Sequence, residues 1–156
     1  MEAKIETRPA FTVLGLAKRG DADSGPTWIP PMWDEFFAQF GKQLHELTGA
    51  GPAYGVMDRY NPETHTFEYM AGFEAAPGTV APEGLTTWEI PEQTYAVVGC
   101  TIKTISDAYT FFHQEWLPEA GYQRGVGPEF EFYGEEFHGD DGDRIYMYLP
   151  IVRSAA

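Results

Sequence analysis

In the segment Pro128-Glu-Phe-Glu-Phe-Tyr-Gly134 the polar and aromatic residues alternate. Side chains along a strand point to opposite faces in turn, so Glu131 and Tyr133 share one face and Phe130 and Phe132 the other. A carboxylate fenced by tyrosines has two chemical uses. It can anchor a flat, lipophilic cation: each ring face attracts the charge by about 0.5–2 kcal/mol, and a desolvated glutamate supplies the counter-charge. It can also act as a general base, because an apolar pocket raises a carboxyl pKa toward neutrality. Tyr69 lies mid-strand between Phe67 and Phe73, Tyr54 opens the neighbouring strand, and Tyr109 faces inward from a helix. Those three complete a candidate aromatic box. The plain alternative is a solvated Glu131 with tyrosines that only pack a core.

Other chemistry has little support. His45, His65, His113 and His138 form no H-E-x-x-H and no i, i+4 pair, so no metal site is expected. Asp140-Asp-Gly-Asp143 is short for a calcium loop and lacks its closing glutamate, which leaves a hairpin turn. Cys100 sits in an apolar run with no partner base and is expected to be a buried structural thiol. There is no G-x-S-x-G, P-loop or G-x-G-x-x-G, and no cofactor is expected.

The elements that must position these residues follow from periodicity. Residues 10–18 read as a strand and 20–27 as a loop. Pro30 and Pro31 open a helix with Met32, Trp33, Phe36, Phe37, Phe40, Leu44 and Leu47 on one face, and Gly49 stops it. Strands follow at 54–58 and 66–74, with Asn61-Pro62 in the turn between them. Alternation sets Phe67, Tyr69, Ala71 and Phe73 on one face of the second. Residues 76–86 read as a linker. A strand at 95–102 then leads to Thr104-Ile-Ser-Asp107, which has the form of a capping box. The helix after it buries Ile105, Ala108, Tyr109, Phe112 and Trp116, and Pro118 and Gly121 end it. Strands at 129–137 and 144–152, joined by the acidic turn, close the chain.

The order strand, helix, strand, strand thus occurs twice, and Phe11-Thr-Val-Leu-Gly15 lines up with Tyr95-Ala-Val-Val-Gly99. The expectation is a single α+β domain over 1–156, with pseudo-repeats at about 8–75 and 87–153. Two helices would pack on one mainly antiparallel sheet, leaving a central groove between them as the ligand site.

Composition narrows the partners. The 156 residues are 43% hydrophobic and 15% aromatic, enough for a real core. A net charge of −14 repels phosphate backbones, so direct nucleic-acid binding is not expected, while cationic ligands are favoured. No apolar run is long enough for a membrane span, and the N-terminus has no signal-peptide core. One cysteine fits a reducing, cytoplasmic location.

Several segments resemble the GyrI-like family, the effector-binding domain found behind AraC-type and MerR-type DNA-binding modules and also as free-standing proteins. They are Ile29-Pro-Pro-Met-Trp33, Tyr54-Gly-Val-Met57, Phe67 to Glu74 and Ile90 to Val97, followed by Glu115 to Tyr122, Glu129 to Tyr133 and Met147 to Ile151. They fall in the family's order. The resemblance implies the duplicated fold and a central site for aromatic or lipophilic, often cationic, compounds. It implies that Glu131 is the electrostatic anchor, as in BmrR-like multidrug-binding members. Tyr54, Tyr69 and Tyr109 would be pocket tyrosines, Tyr133 would join Glu131, and Trp33 and Phe36 would line the wall. No DNA-binding module flanks the domain in this sequence, so a free-standing member is expected.

Three functions are compatible with that resemblance. The first is a small-molecule binding protein for lipophilic aromatic cations. The second is a hydrolase of strained cyclopropane-containing toxins, with Glu131 as base and Tyr69 or Tyr133 as acid. The third is a protein-interaction module like the family's gyrase inhibitor. A protein partner or a homodimer also remains compatible with the sequence.

Overall fold

A computed structural model describes residues 1–48 and 51–154, apart from the side chains of His45 and Leu47. The expected helix stop at Gly49 and the expected contribution of Leu47 to the helix face fall outside the described residues. In chain order the elements are β1 (Ala3–Arg8), β2 (Phe11–Asp21), α1 (Gly25–Thr48), β3 (Ala53–Asn61), β4 (Thr66–Ala75), β5 (Thr86–Ile90) and β6 (Gln93–Cys100). A 3-10 turn (Ile102–Thr104) leads into α2 (Ile105–Thr110), a π-helical turn (Phe111–Trp116) and α3 (Leu117–Ala120). The chain closes with β7 (Tyr122–Arg124), β8 (Glu129–Tyr133) and β9 (Ile145–Arg153).

Two compact units contain these elements: residues 11–90, and residues 1–10 joined with 91–156. In the first, antiparallel pairing gives the order β3-β4-β2-β5. In the second it gives β8-β9-β6-β1, with β7 also paired to β9. The fold is α+β, and the strand-helix-strand-strand pattern recurs: β2-α1-β3-β4 answers to β6-α2-β8-β9. Each unit adds a fourth strand at the same place. β5 pairs with β2, and β1 pairs with β6. The strand leading into β2 therefore belongs to the other unit, and so does the strand leading into β6.

Strands β1, β5 and β7 were not expected. β1 reads Ala-Lys-Ile-Glu-Thr-Arg, and its four inner residues are exposed. Such a charged edge strand gives no apolar pattern, and its partner β6 is about ninety residues away in sequence.

Helix α1 starts a turn earlier than expected, at Gly25. The carbonyl of Ser24 accepts the Thr27 N–H at 2.9 Å and the Thr27 hydroxyl at 2.6 Å, and the Trp28 Nε1–H donates to the Asp21 carbonyl at 3.0 Å. Pro30 and Pro31 therefore lie inside the helix, where each removes one backbone donor. The second helix also begins differently. Its capping box is Thr101/Thr104, with the Thr104 hydroxyl accepting the Thr101 N–H at 2.8 Å, so Thr104 closes the box and does not open it. Pro118 does not stop this helix. It sits in the first turn of α3, after a wide turn in which the Leu117 N–H reaches the Phe112 carbonyl. Gly121, at φ 74°, supplies the left-handed residue that ends it.

In unit 11–90, α1 packs on one face of the sheet. Leu14, Met32, Phe36, Leu44, Tyr69 and Ala71 form its buried core, flanked by Trp28, Trp33, Phe40, Phe67 and Phe73. The expected face of β4 is the face that meets the helix. Gly15 and Gly72 oppose each other in β2 and β4, and a Cβ at either would run into the other strand's backbone. Only glycine permits that approach.

A polar latch ties the β3–β4 turn to the loop before α1. His65 Nε2 lies 2.9 Å from Asp23 Oδ1, His65 Nδ1 lies 2.7 Å from the Tyr60 hydroxyl, and the Ala22 N–H donates to the His65 carbonyl at 2.9 Å. The hydrogen bond to Asp23, followed by its charge, raises the imidazole pKa above its ordinary 6.5. A raised folded pKa stabilises the fold fully below the unfolded value, and this stabilisation is lost as pH rises through the folded value. The melting temperature of wild type should therefore exceed that of His65→Gln most at pH 5–6, with the difference shrinking just above pH 6.5. A difference independent of pH would contradict this.

Candidate functional site

Strand β8 presents Glu129, Glu131 and Tyr133 on one face, because alternate residues of a strand share a side. Helix α2 brings Tyr109 to the same face, where its hydroxyl donates to Glu129 Oε1 at 2.7 Å. The Arg124 Nη2 donates to Glu129 Oε2 at 2.9 Å. Beside this group the Tyr133 hydroxyl donates to Glu131 Oε1 at 2.9 Å. Glu131 is only 7% exposed. A carboxylate that has given up its water must be held by donors, and the tyrosine provides one.

The electrostatics agree with this arrangement. Tyr109 has its pKa raised well above the ordinary 10, first by burial, then by the charge and hydrogen bond of Glu129, and further by the charge of Glu131. Its hydroxyl therefore stays protonated and acts as a donor. Cys100 is buried, and burial with the charge of Glu131 pushes its thiol up to about 11. That keeps it a thiol near neutral pH, and it is not a nucleophile there.

The opposite face of the same sheet is organised differently. The Arg8 guanidinium lies 5.4 Å from the Phe130 ring centre, 5.9 Å from Phe132 and 5.2 Å from Tyr148. The chain thus places its own cation against these rings. Burial, then a hydrogen bond and charge from Glu6, pushes the Tyr148 hydroxyl up to about 12. A cavity of about 670 Å³ in this unit is walled by Ile5, Gln93, Tyr122, Val126 and Arg153 among others, and none of the β8 carboxylates lines it.

In unit 11–90 the expected site residues divide. Trp33, Phe36 and Tyr69 come together on the helix face of the sheet. The Trp33 Nε1–H donates to the Tyr69 hydroxyl at 2.9 Å, and the Trp33 ring meets Phe36 edge-on at 6.1 Å. Phe36 is fully buried and stacks on Phe73 at 6.1 Å. Tyr54 lies on the other face. It pairs in register with Gly72, one residue from the helix-facing Phe73, and packs against Phe11 at 5.2 Å. Its hydroxyl donates to Glu74 Oε1 at 2.9 Å.

Trp88 and Trp116 also have structural settings. Arg59 stacks over Trp88 at 4.3 Å. Trp116 is stacked between Phe112 and Tyr122, at 6.0 and 5.7 Å. Sequence reasoning missed Glu129 and Arg124. The signal for Glu129 was its two-residue spacing from Glu131. Nothing local marked Arg124.

Comparison with known proteins gives this arrangement a context. The chain is 33% identical to the transcriptional regulator BrlR of Pseudomonas aeruginosa, over 97% of this chain and 56% of BrlR, so it spans about half of that relative's length. Its fold is similar to that of SAV2435 bound to tetraphenylphosphonium, with a TM-score of 0.78 and 12% identity over 97% of this chain and 94% of the other. It is also similar to that of an integron cassette protein from Vibrio cholerae, with a TM-score of 0.71 and 16% identity over 97% and 96%. At those identities the likeness is one of fold. Residues 4–151 match the family of Cass2, the integron-associated effector binding protein, and with nearly the whole chain matched, the protein belongs to that effector-binding family.

Proposed function

We propose that this protein binds lipophilic, aromatic cations on the helix-facing side of β8, with Glu131 as the charged anchor. The observation that carries this is the burial of Glu131, which is 7% exposed beside tyrosine donors and a second carboxylate. A buried carboxylate costs several kcal/mol in lost hydration, and a cationic ligand offsets that cost on arrival. The net charge of −14 adds long-range attraction for cations and opposes contact with nucleic acid. Membership of an effector-binding family supports a small-molecule role, and the related fold of SAV2435 is bound to a phosphonium cation.

The test is a titration of wild type with tetraphenylphosphonium, read by calorimetry and by tryptophan fluorescence. Saturable one-to-one binding at micromolar concentration or tighter is expected, with the cation recovered unchanged. No binding by any of several aromatic cations would refute the proposal. Turnover of cyclopropane-containing compounds that is lost in Glu131→Gln would replace it with the hydrolase.

A further inference from the structure

We propose that β1 pairs with the β1 of a second copy of this chain, antiparallel and centred on Ile5, so that Lys4 of each copy faces Glu6 of the other. β1 lies at the end of the strand order, and among the described residues it pairs with β6 alone. Its outer edge therefore carries a row of N–H and C=O groups with no strand beside them, which is a template for another strand. The Thr7 and Thr94 hydroxyls lie 2.8 Å apart, so side chains as well as backbone hold β1 to β6. Lys4, Ile5, Glu6 and Thr7 are all exposed.

Charge selects both the occupant and the register. Lys4 and Glu6 are two residues apart and share one face of β1, while Ile5 between them points to the other. Glu6 also accepts the Tyr148 hydroxyl, a neutral donor that leaves the carboxylate's charge in place. Directly opposed residues of an antiparallel pair share a face, so two identical strands related by a two-fold axis must be centred on a residue. Centring on Lys4 sets two ammonium groups against each other, and centring on Glu6 sets two carboxylates together. Both are destabilising. An in-register parallel pair again matches like with like. Centring on Ile5 makes two symmetry-related Lys4–Glu6 pairs and sets Ile5 on Ile5.

Apolar surface adjoins the strand. Ile5 is 51% exposed, and with the exposed Val126 and Val152 it walls the cavity of about 670 Å³. A second copy along β1 brings another Ile5 to that rim, where contact removes aliphatic surface from water. The net charge of −14 opposes self-association. At about 0.15 M salt that repulsion is screened beyond roughly 8 Å, while opposed cross-strand residues lie closer than this.

Sedimentation equilibrium of the full chain at physiological salt tests the pairing. The average mass of wild type should rise reversibly from one chain toward two as concentration reaches hundreds of micromolar. Lys4→Glu and Glu6→Lys should each weaken the dimer roughly ten-fold or more, because each substitution makes both symmetry-related pairs like-charged. An equimolar mixture of the two variants should dimerise again, because the mixed pair centred on Ile5 regains two unlike contacts. The double variant Lys4→Glu/Glu6→Lys should dimerise by itself. A wild type that stays monomeric would overturn the inference. So would a dimer that survives both single variants, or a mixture that stays monomeric. Should either variant not fold, amide hydrogen exchange of wild type decides. Protection in β1 should rise with chain concentration, while that in β5, paired only with β2 among the described residues, stays constant. Exchange in β1 that is independent of concentration would overturn the inference.

Discussion

Phe36→Ala should destabilise the protein by about 3–5 kcal/mol, the range for emptying a fully buried phenylalanine site. Phe36 is 0% exposed, stacks on Phe73, and touches Trp33, Phe37 and Phe40 along the apolar face of α1. The loss combines the transfer energy of the ring with a cavity that the packed sheet beneath it cannot close. For a chain of this size that corresponds to a fall in melting temperature of roughly 6–20 °C. Phe37, one residue along, is 51% exposed, and Phe37→Ala should cost much less. The contrast is measured without ligand, by thermal or urea unfolding of both variants. Similar small losses in the two would mean that α1 is not docked through Phe36.

Glu131→Gln should act in the opposite way, on binding and not on stability. Losing the Coulomb attraction to a phosphonium centre roughly 6–10 Å away, at an effective dielectric of about 20, removes about 1.5–3 kcal/mol, roughly a 10- to 100-fold weaker affinity for tetraphenylphosphonium. The amide oxygen can still accept the Tyr133 hydroxyl, which holds Glu131 Oε1 at 2.9 Å. Burying a neutral amide costs less than burying a carboxylate. The melting temperature of this variant should therefore hold or rise. A large fall in stability would show that Glu131 is chiefly a structural group.

Much of this was legible in the sequence because the relevant signals are local and periodic. The two-residue alternation from Phe67 to Phe73 identified the helix-facing side of β4, and the three- and four-residue steps from Met32 to Leu44 identified the face of α1. The same rule joined Glu131 to Tyr133. What was not legible depends on distant partners. β1 is a strand because β6 pairs with it, with Ile5 opposite Ala96. Arg124 matters because the chain returns Glu129 to its side five residues later, on a different strand. Tyr54 and Tyr69 look alike in sequence, yet register sets them on opposite faces: Tyr54 opposes Gly72, whereas Tyr69 opposes Met57 beneath the helix. The early start of α1 was masked by Pro30 and Pro31, which suit a first turn but here lie beyond it.

If Glu131 recognises charge, two ligands of similar shape, one cationic and one neutral, must be told apart through it. The affinities of methyltriphenylphosphonium and of neutral triphenylphosphine oxide, each with three phenyl rings and one small substituent on phosphorus, are measured by calorimetry on wild type and on Glu131→Gln. Wild type should prefer the cation by at least about ten-fold, and the preference should collapse toward one in the variant. A preference that survives Glu131→Gln unchanged would leave the carboxylate without a role in recognition.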